Sequence, residues 1–226
     1  MSPFTHLLGG WMVANITPMR RRERAAVTLA AVVPDLDGAG LVVDLFQRGI
    51  HTEFAPHYEA YHRMLGHNVF VGIAIAVVCY AVARERRWLV ASLGLLSFHT
   101  HLLGDLVGSR GPTPSDIWPI YYLWPLSSHP FAWSGQWALN AWPNIALTFI
   151  LLMGTIYLAW RRGYSLVGIV SPYADEVFVR TLRRRFPHAP DQTSGKDAKD
   201  ESDTKERFPG GIHPGSRRRE GPDQDP

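Results

Sequence analysis

Residues 97–108 read Ser-Phe-His-Thr-His-Leu-Leu-Gly-Asp-Leu-Val-Gly. They close an apolar run that begins at Trp88, which predicts a helix over 88–108 buried in a membrane or a core. Such a helix seldom carries two histidines and an aspartate, because burying an unpaired polar or charged group is costly. His101 and Asp105 are four residues apart and share one helical face, one turn from each other. An imidazole and a carboxylate so placed can grip one divalent cation. They can equally form a His–Asp hydrogen bond inside a core. His99 points about 200° away from His101 around the helix and serves a different face.

Around this helix, apolar stretches alternate with polar loops. Phe4–Met19 is mildly apolar, with Thr5 as a candidate N-cap. Residues 25–33 form a helical run that Pro34 ends. Pro-Asp-Leu-Asp-Gly at 34–38 is a loop with two carboxylates, and Leu41–Phe46 is apolar again. The stretch 47–66 is polar and rich in histidine; within it His51 and His57 read as solvated. Residues 68–83 are almost wholly apolar. A loop rich in Pro, Ser and Trp covers 109–136; its Trp118, Trp124 and Trp133, with Trp137 and Trp142 beyond it, read as an interfacial aromatic belt. The run 137–160 is long enough to cross a hydrocarbon core with some tilt. Ser171-Pro172 reads as an N-cap followed by a first-turn proline. Phe178, Leu182 and Phe186 then recur every four residues beside Arg180 and Arg183–Arg185. That is a basic amphipathic helix, lying on an anionic membrane surface or docked on its own domain. From Pro187 onward the chain is Pro, Gly and mixed charge, the composition of a disordered tail. The fold class expected is an all-α, membrane-embedded bundle of about four to five apolar helices. Its divisions are an embedded domain over 1–165, a juxtamembrane helix over 166–186 and a tail over 187–226.

The chain has 226 residues, of which 46% are apolar, and a formal charge of +3. So small a charge gives no reason to expect a nucleic-acid partner. One cysteine, Cys79, excludes an internal disulfide. Met1–His6 lacks the basic start of a cleavable signal peptide. Arginines cluster at 20–24, 84–87, 161–162 and 183–185, each after an apolar stretch. The positive-inside tendency puts all four on the cytoplasmic side of an inner membrane crossed several times, with the C-terminal tail cytoplasmic. Depths measured from that arginine plane at helical rise then agree. His6, Asp35 and His101 lie about 21, 17 and 21 Å above it, and His67 and Asp105 about 26 and 27 Å. Five candidate ligands from four segments share one layer near the opposite face, where intramembrane ionisable groups are functional by default.

In order, the polar motifs are Phe-Thr-His-Leu-Leu at 4–8, Pro-Asp-Leu-Asp at 34–37, His-Arg-Met-Leu-Gly-His at 62–67 and His-Leu-Leu-Gly-Asp at 101–105. Ile-Trp-Pro and Leu-Trp-Pro follow at 117–119 and 123–125. Together they resemble the YdjM-type family of membrane-bound, metal-dependent hydrolases across residues 4–126. Gly38 stands where that family often has His, and Gly66 and Asn68 replace the Thr and Ser that flank its second histidine. More distantly the motifs resemble the metal frame of zinc-dependent phospholipase C and related helical nucleases. By that resemblance Asp37, His67, His101 and Asp105 hold one metal, and Asp105 is shared with a second held partly by His6. The distant family's later histidine–carboxylate pair is missing. His62 is a ligand or the partner that orients another group. Arg63 clamps a phosphate oxygen bidentately or marks the membrane edge. Asp35 is the preferred proton acceptor, or else a cap or an orienting partner.

The expected function is therefore hydrolysis of an ester or phosphoester in a lipid-like substrate, at the extracytoplasmic face, with one or two Zn²⁺ ions activating water. Membrane lipids are the expected surroundings. The competing reading is a non-enzymatic membrane protein whose His/Asp cluster binds a structural metal or relays protons. A closed site with four protein ligands marks the latter, and a hydrated cleft the former. A transporter is disfavoured, because the chain lacks paired broken helices in corresponding halves.

Overall fold

The computed structural model describes residues 1–39, 62 and 64–187. The expectations for Leu41–Phe46, His51, His57, Arg63 and the tail from 188 onward lie outside the described residues. The described residues form six α-helices, two 3-10 helices and no strand. In chain order these are α1 (Pro3–Ala14), α2 (Arg21–Ala30), a 3-10 helix (Val33–Ala39), α3 (Val69–Val82) and α4 (Arg87–Gly108). After them come α5 (Trp142–Arg162), a 3-10 helix (Leu166–Ile169) and α6 (Pro172–Arg185). All belong to one compact unit, Met1–Arg185.

Helix α4 runs through the middle, packed by α1, α2 and α3, while α5 lies against α1. Its placement follows from its residues: Val90, Leu93, Phe98 and Leu102 bury one stripe. Small residues set the close approaches. A Cβ on Gly10 would meet the Thr28 carbonyl oxygen at 2.5 Å, and one on Gly94 would meet Cys79 Sγ at 2.4 Å. Only glycine lets those helix pairs come so near, the usual device of helices packed in lipid.

The outside is apolar and much of the inside polar. Phe70, Ile73, Val77 and Val78 on α3, and Ile145, Phe149, Ile150 and Met153 on α5, are exposed. Glu23, Asn68, Ser97, Asn144 and Thr155 are buried. Contiguous exposed apolar faces of this extent call for a non-aqueous neighbour. Helices α4 and α5 are long and apolar enough to cross a membrane. At helical rise they measure about 33 and 32 Å, against a hydrocarbon core of roughly 30 Å. Helix α3, at about 21 Å, is shorter than that core.

The arginine clusters meet at one end. An Arg20 guanidinium N–H donates to Glu85, and the Arg84 backbone N–H to Glu23. The Arg21 side chain reaches the Gly168 carbonyl, Arg24 lies 3.6 Å over the Tyr164 ring, and Arg162 donates to Asn15. The four clusters therefore converge, as the alternation of apolar run and arginine implies. Helix α6 is docked on its own domain. Asp175 accepts from the Ser165 N–H and hydroxyl, each at 2.6 Å, and Arg183 Nε donates to the Trp160 carbonyl at 2.9 Å. Tyr173 and Phe178 stay exposed.

Two boundaries differ from the sequence expectation. Ser2, not Thr5, caps α1, because Pro3 takes the first helical position and places Thr5 inside the first turn. Helix α5 starts at Trp142 instead of Trp137, since Pro143 has no N–H and fits only the first turn. Trp137–Ala141 forms a loop tied to the helix by Asn144. That amide donates to the carbonyls of Gly108, Ala138 and Leu139 and accepts from the Trp137 indole at 2.7 Å.

Candidate metal centre

At the end opposite the arginines, several segments converge on the last turns of α4. Helix α1 starts here and carries His6 in its first turns. Helix α2 ends here, and the 3-10 helix after it delivers Asp35 and Asp37. Asn68 caps α3 by accepting from the N–H groups of Phe70 and Val71, which fixes the neighbouring His67 at the helix entrance. His6, His67, His101 and Asp105 are all buried.

The ligand atoms of His6, Asp35, His101 and Asp105 lie within 4.8 Å of one another. His67 joins them: its Nε2 is 3.1 Å from His101 Nε2 and 3.3 Å from Asp105 Oδ2. His6 Nε2 is 3.1 Å from Asp105 Oδ1, and Asp35 Oδ1 is 3.7 Å from His101 Nε2. The hydrogen bonds behind the rings fix which nitrogens face inward. His101 Nδ1 donates to the Ala31 carbonyl at 2.8 Å, and His67 Nδ1 donates to Asp37 Oδ2 at 3.0 Å. With each Nδ1 proton committed outward, both Nε2 lone pairs point at each other. Lone pairs at that separation repel unless a proton or a metal ion lies among them. Donor atoms around a tetrahedral zinc stand about 3.3 Å apart, so the spacing suits an ion.

The electrostatics agree. Burial alone would drive a proton off His67, but hydrogen bonds to Asp105 and Asp37 outweigh it and raise its pKa, so this position favours positive charge. Burial raises the Asp35 pKa, and its Oδ2 is buried with no hydrogen-bond partner among the described residues. Asp105 is also met by the Ser109 hydroxyl at 2.8 Å and by the Met1 amino group, which itself donates to Ser109 at 2.5 Å.

The distant resemblance puts Asp37 on the metal and makes Asp35 the preferred proton acceptor. In the structure Asp35 lies among the inward atoms, and both Asp37 oxygens meet histidine or backbone donors. Oδ1 accepts from His62 Nδ1 at 2.9 Å, and Oδ2 from His67 and from the Gly66 N–H at 3.0 Å. Burial pushes the Asp37 carboxyl up, yet these bonds hold it below the usual carboxylate range. Asp37 thus bonds the His62 and His67 rings, and His62 sits beside it. The register of the 3-10 helix decides this, and alternating Asp-Leu-Asp does not reveal that register. His99 bonds Tyr122 at 3.0 Å, on its separate face as expected. Trp118 and Trp137 each line a cavity, Trp118 standing edge-on to His62 at 5.8 Å.

Two cavities flank the cluster. One, of about 660 Å³, is lined by Asp35, His62, Asp105, Ser109, Arg110 and Trp118. The other, of about 340 Å³, is apolar and touches His6 and His101 between α1, α4 and α5. Ser109 and Arg110 were missed in the sequence. Ser109 sits four residues after Asp105 and so on its face; Arg110 lies far from every arginine cluster. Both spacings were available as signals.

Helices with apolar exteriors around a buried His/Asp cluster define a membrane protein with a group able to hold a metal ion. The chain belongs to the YdjM inner membrane protein family, whose model matches residues 1–183. No curated protein and no solved structure matches the chain.

Proposed function

We propose that the protein is a metal-dependent hydrolase of the inner membrane, acting on an ester or phosphoester in a lipid-like substrate at the extracytoplasmic face. The observation that carries this reading is the set of inward atoms, with the tautomers of His67 and His101 fixed from behind. His6, His67, His101 and Asp105 would hold the ion, with a further position left open for water toward the cavity that Asp35 and Asp105 line. Three imidazoles and a carboxylate favour zinc over magnesium or calcium, which take oxygen ligands. When bound, such an ion acidifies water and polarises the bond under attack. The chain's own groups supply the rest. Asp35, whose Oδ1 lies 3.7 Å from His101 Nε2, whose Oδ2 has no donor among the described residues and whose pKa burial raises, would accept the water's proton. Asp37 holds the His67 and His62 rings in register.

The large cavity against Asp35 and Asp105 favours hydrolysis over a purely structural ion, which would be enclosed by its ligands. Topology belongs to the same proposal. The arginine end faces the cytoplasm, α4 and α5 cross the bilayer, and the C-terminal tail stays on the cytoplasmic side. The test is zinc content and hydrolysis of phosphatidylcholine and bis-p-nitrophenyl phosphate by purified protein, with His101→Ala alongside. Zinc and turnover in the parent, both lost in the variant, support the reading. Turnover that survives in zinc-free His101→Ala would overturn it.

A further inference from the structure

The two cavities differ in chemistry, and each is lined by residues of the candidate centre. The apolar one is walled by Gly9, Leu103, Val107, Leu147 and Leu151 together with His6 and His101. Leu103 is exposed on the outer surface of α4. This cleft therefore runs from the apolar exterior to the imidazoles. A Cβ built on Gly9 meets nothing within 4 Å, so the helix leaves open space there.

The polar cavity lies against the carboxylate side of the cluster and contains one unusual group. Arg110 is held from behind, its Nε donating to the Gln136 carbonyl at 3.0 Å and its backbone bonded to Trp137 and Leu139. Its Nη1 is buried with no hydrogen-bond partner among the described residues. A buried guanidinium nitrogen without an acceptor is costly, and an anionic oxygen is the acceptor that suits it. Among the described residues it is the only arginine at this end of the bundle.

We infer that the centre takes a membrane amphiphile with a phosphate head and a hydrocarbon chain. The chain lies in the cleft between α1, α4 and α5, and the phosphate meets Arg110 in the polar cavity. The scissile ester then sits between His101 on one side and Asp35 on the other. A cavity of about 340 Å³ is within the range of small-molecule sites, and it opens where hydrocarbon is the surrounding medium. Arg110 is thus a specificity residue that selects anionic heads, and Gly9 keeps the chain's path clear. This inference rests on the hydrolytic reading, but its test needs neither zinc nor turnover.

The full chain is placed in nanodiscs with phosphatidic acid carrying a diazirine on one acyl chain, and adducts are mapped by mass spectrometry with and without zinc. The expected result is adducts at Leu103, Leu147 and Leu151. Gly9→Phe should remove them by filling the cleft. Arg110→Gln should reduce them about tenfold, as loss of a charge-assisted bond implies. The same diazirine on diacylglycerol, which lacks phosphate, should label the parent weakly and be indifferent to Arg110→Gln. Inorganic phosphate distinguishes a lipid headgroup from a free anion, and it should compete poorly. The inference is overturned by uniform labelling of the lipid-facing surface, by equal labelling with diacylglycerol, or by full competition from inorganic phosphate. Gly9→Phe bears on the cleft even should Arg110→Gln fail to fold. An absence of zinc would sink the hydrolytic reading while leaving this labelling pattern intact.

Discussion

Asp37→Asn separates an orienting carboxylate from a ligand. Asp37 accepts on both oxygens, from His62 on one and from His67 and Gly66 on the other. Asparagine keeps the size but has one acceptor oxygen, and its amide must face a donor that the carboxylate accepted. The best compromise turns its oxygen to His67 and Gly66 and leaves the amide toward His62, whose ring can change tautomer. His67 then keeps its orientation but loses the negative charge that makes its Nε2 a strong donor. Loss of an outer partner of this kind costs about 10–100-fold in metal affinity, or roughly 1.4–2.8 kcal/mol. Saturating zinc should still load the variant fully. Competition with a chelator of known affinity, in detergent at fixed pH, measures the shift. A variant that never loads zinc would make Asp37 a ligand after all, and an unchanged affinity would remove it from the site.

Three further outcomes follow from the packing and the proposed topology. Gly10→Val should destabilise the bundle by about 1–3 kcal/mol, since its side chain enters the Thr28 carbonyl and Ala31; an unchanged unfolding midpoint would contradict that contact. Asn144→Ala leaves the Gly108 and Leu139 carbonyls and the Trp137 N–H without their partner, at a cost of about 1–3 kcal/mol for each group left unsatisfied. Its unfolding midpoint should fall while Arg162 stays bonded to Asn15 at the far end. Ser128→Cys, on a Cys79→Ala background, should react with an impermeant maleimide in intact cells. Reaction only after the cells are opened would reverse the orientation.

Much of this was legible in the sequence because it depends on helical period and on rise. The spacing of His101 and Asp105 fixed their shared face, and a rise of about 1.5 Å per residue put His6, Asp35, His67, His101 and Asp105 in one layer. The arginine clusters marked the other end. Illegible features depended on backbone geometry that short polar stretches do not encode. Which of Asp35 and Asp37 turns inward is set by a seven-residue 3-10 helix. The tautomer of His101 is fixed by the Ala31 carbonyl, seventy residues away in sequence. Arg110 gains meaning only when the loop returns Gln136 and Trp137 to its side. The C-terminal amphipathic helix shows the same limit. Its pattern fitted a membrane surface and a docked helix equally, and the bonds of Asp175 and Arg183 that tie it to its own domain lie outside that pattern.

The central claim is that the buried cluster exists to hold a cation, and Asp105 is its hub. This carboxylate faces His6, His67 and His101 at 3.1, 3.3 and 3.6 Å. Asparagine there keeps the size, and its one oxygen can still accept from Ser109, but it removes the charge that offsets the ion's. The measurement is zinc per chain by elemental analysis of the purified parent and Asp105→Asn after identical zinc loading and removal of excess. Unfolding of both in chelator serves as the reference. Stoichiometric zinc in the parent, most of it lost from a variant that still unfolds cooperatively in chelator, at a temperature lowered by loss of the Met1 ion pair, is the expected result. No zinc in either protein, or equal zinc in both, would contradict the account.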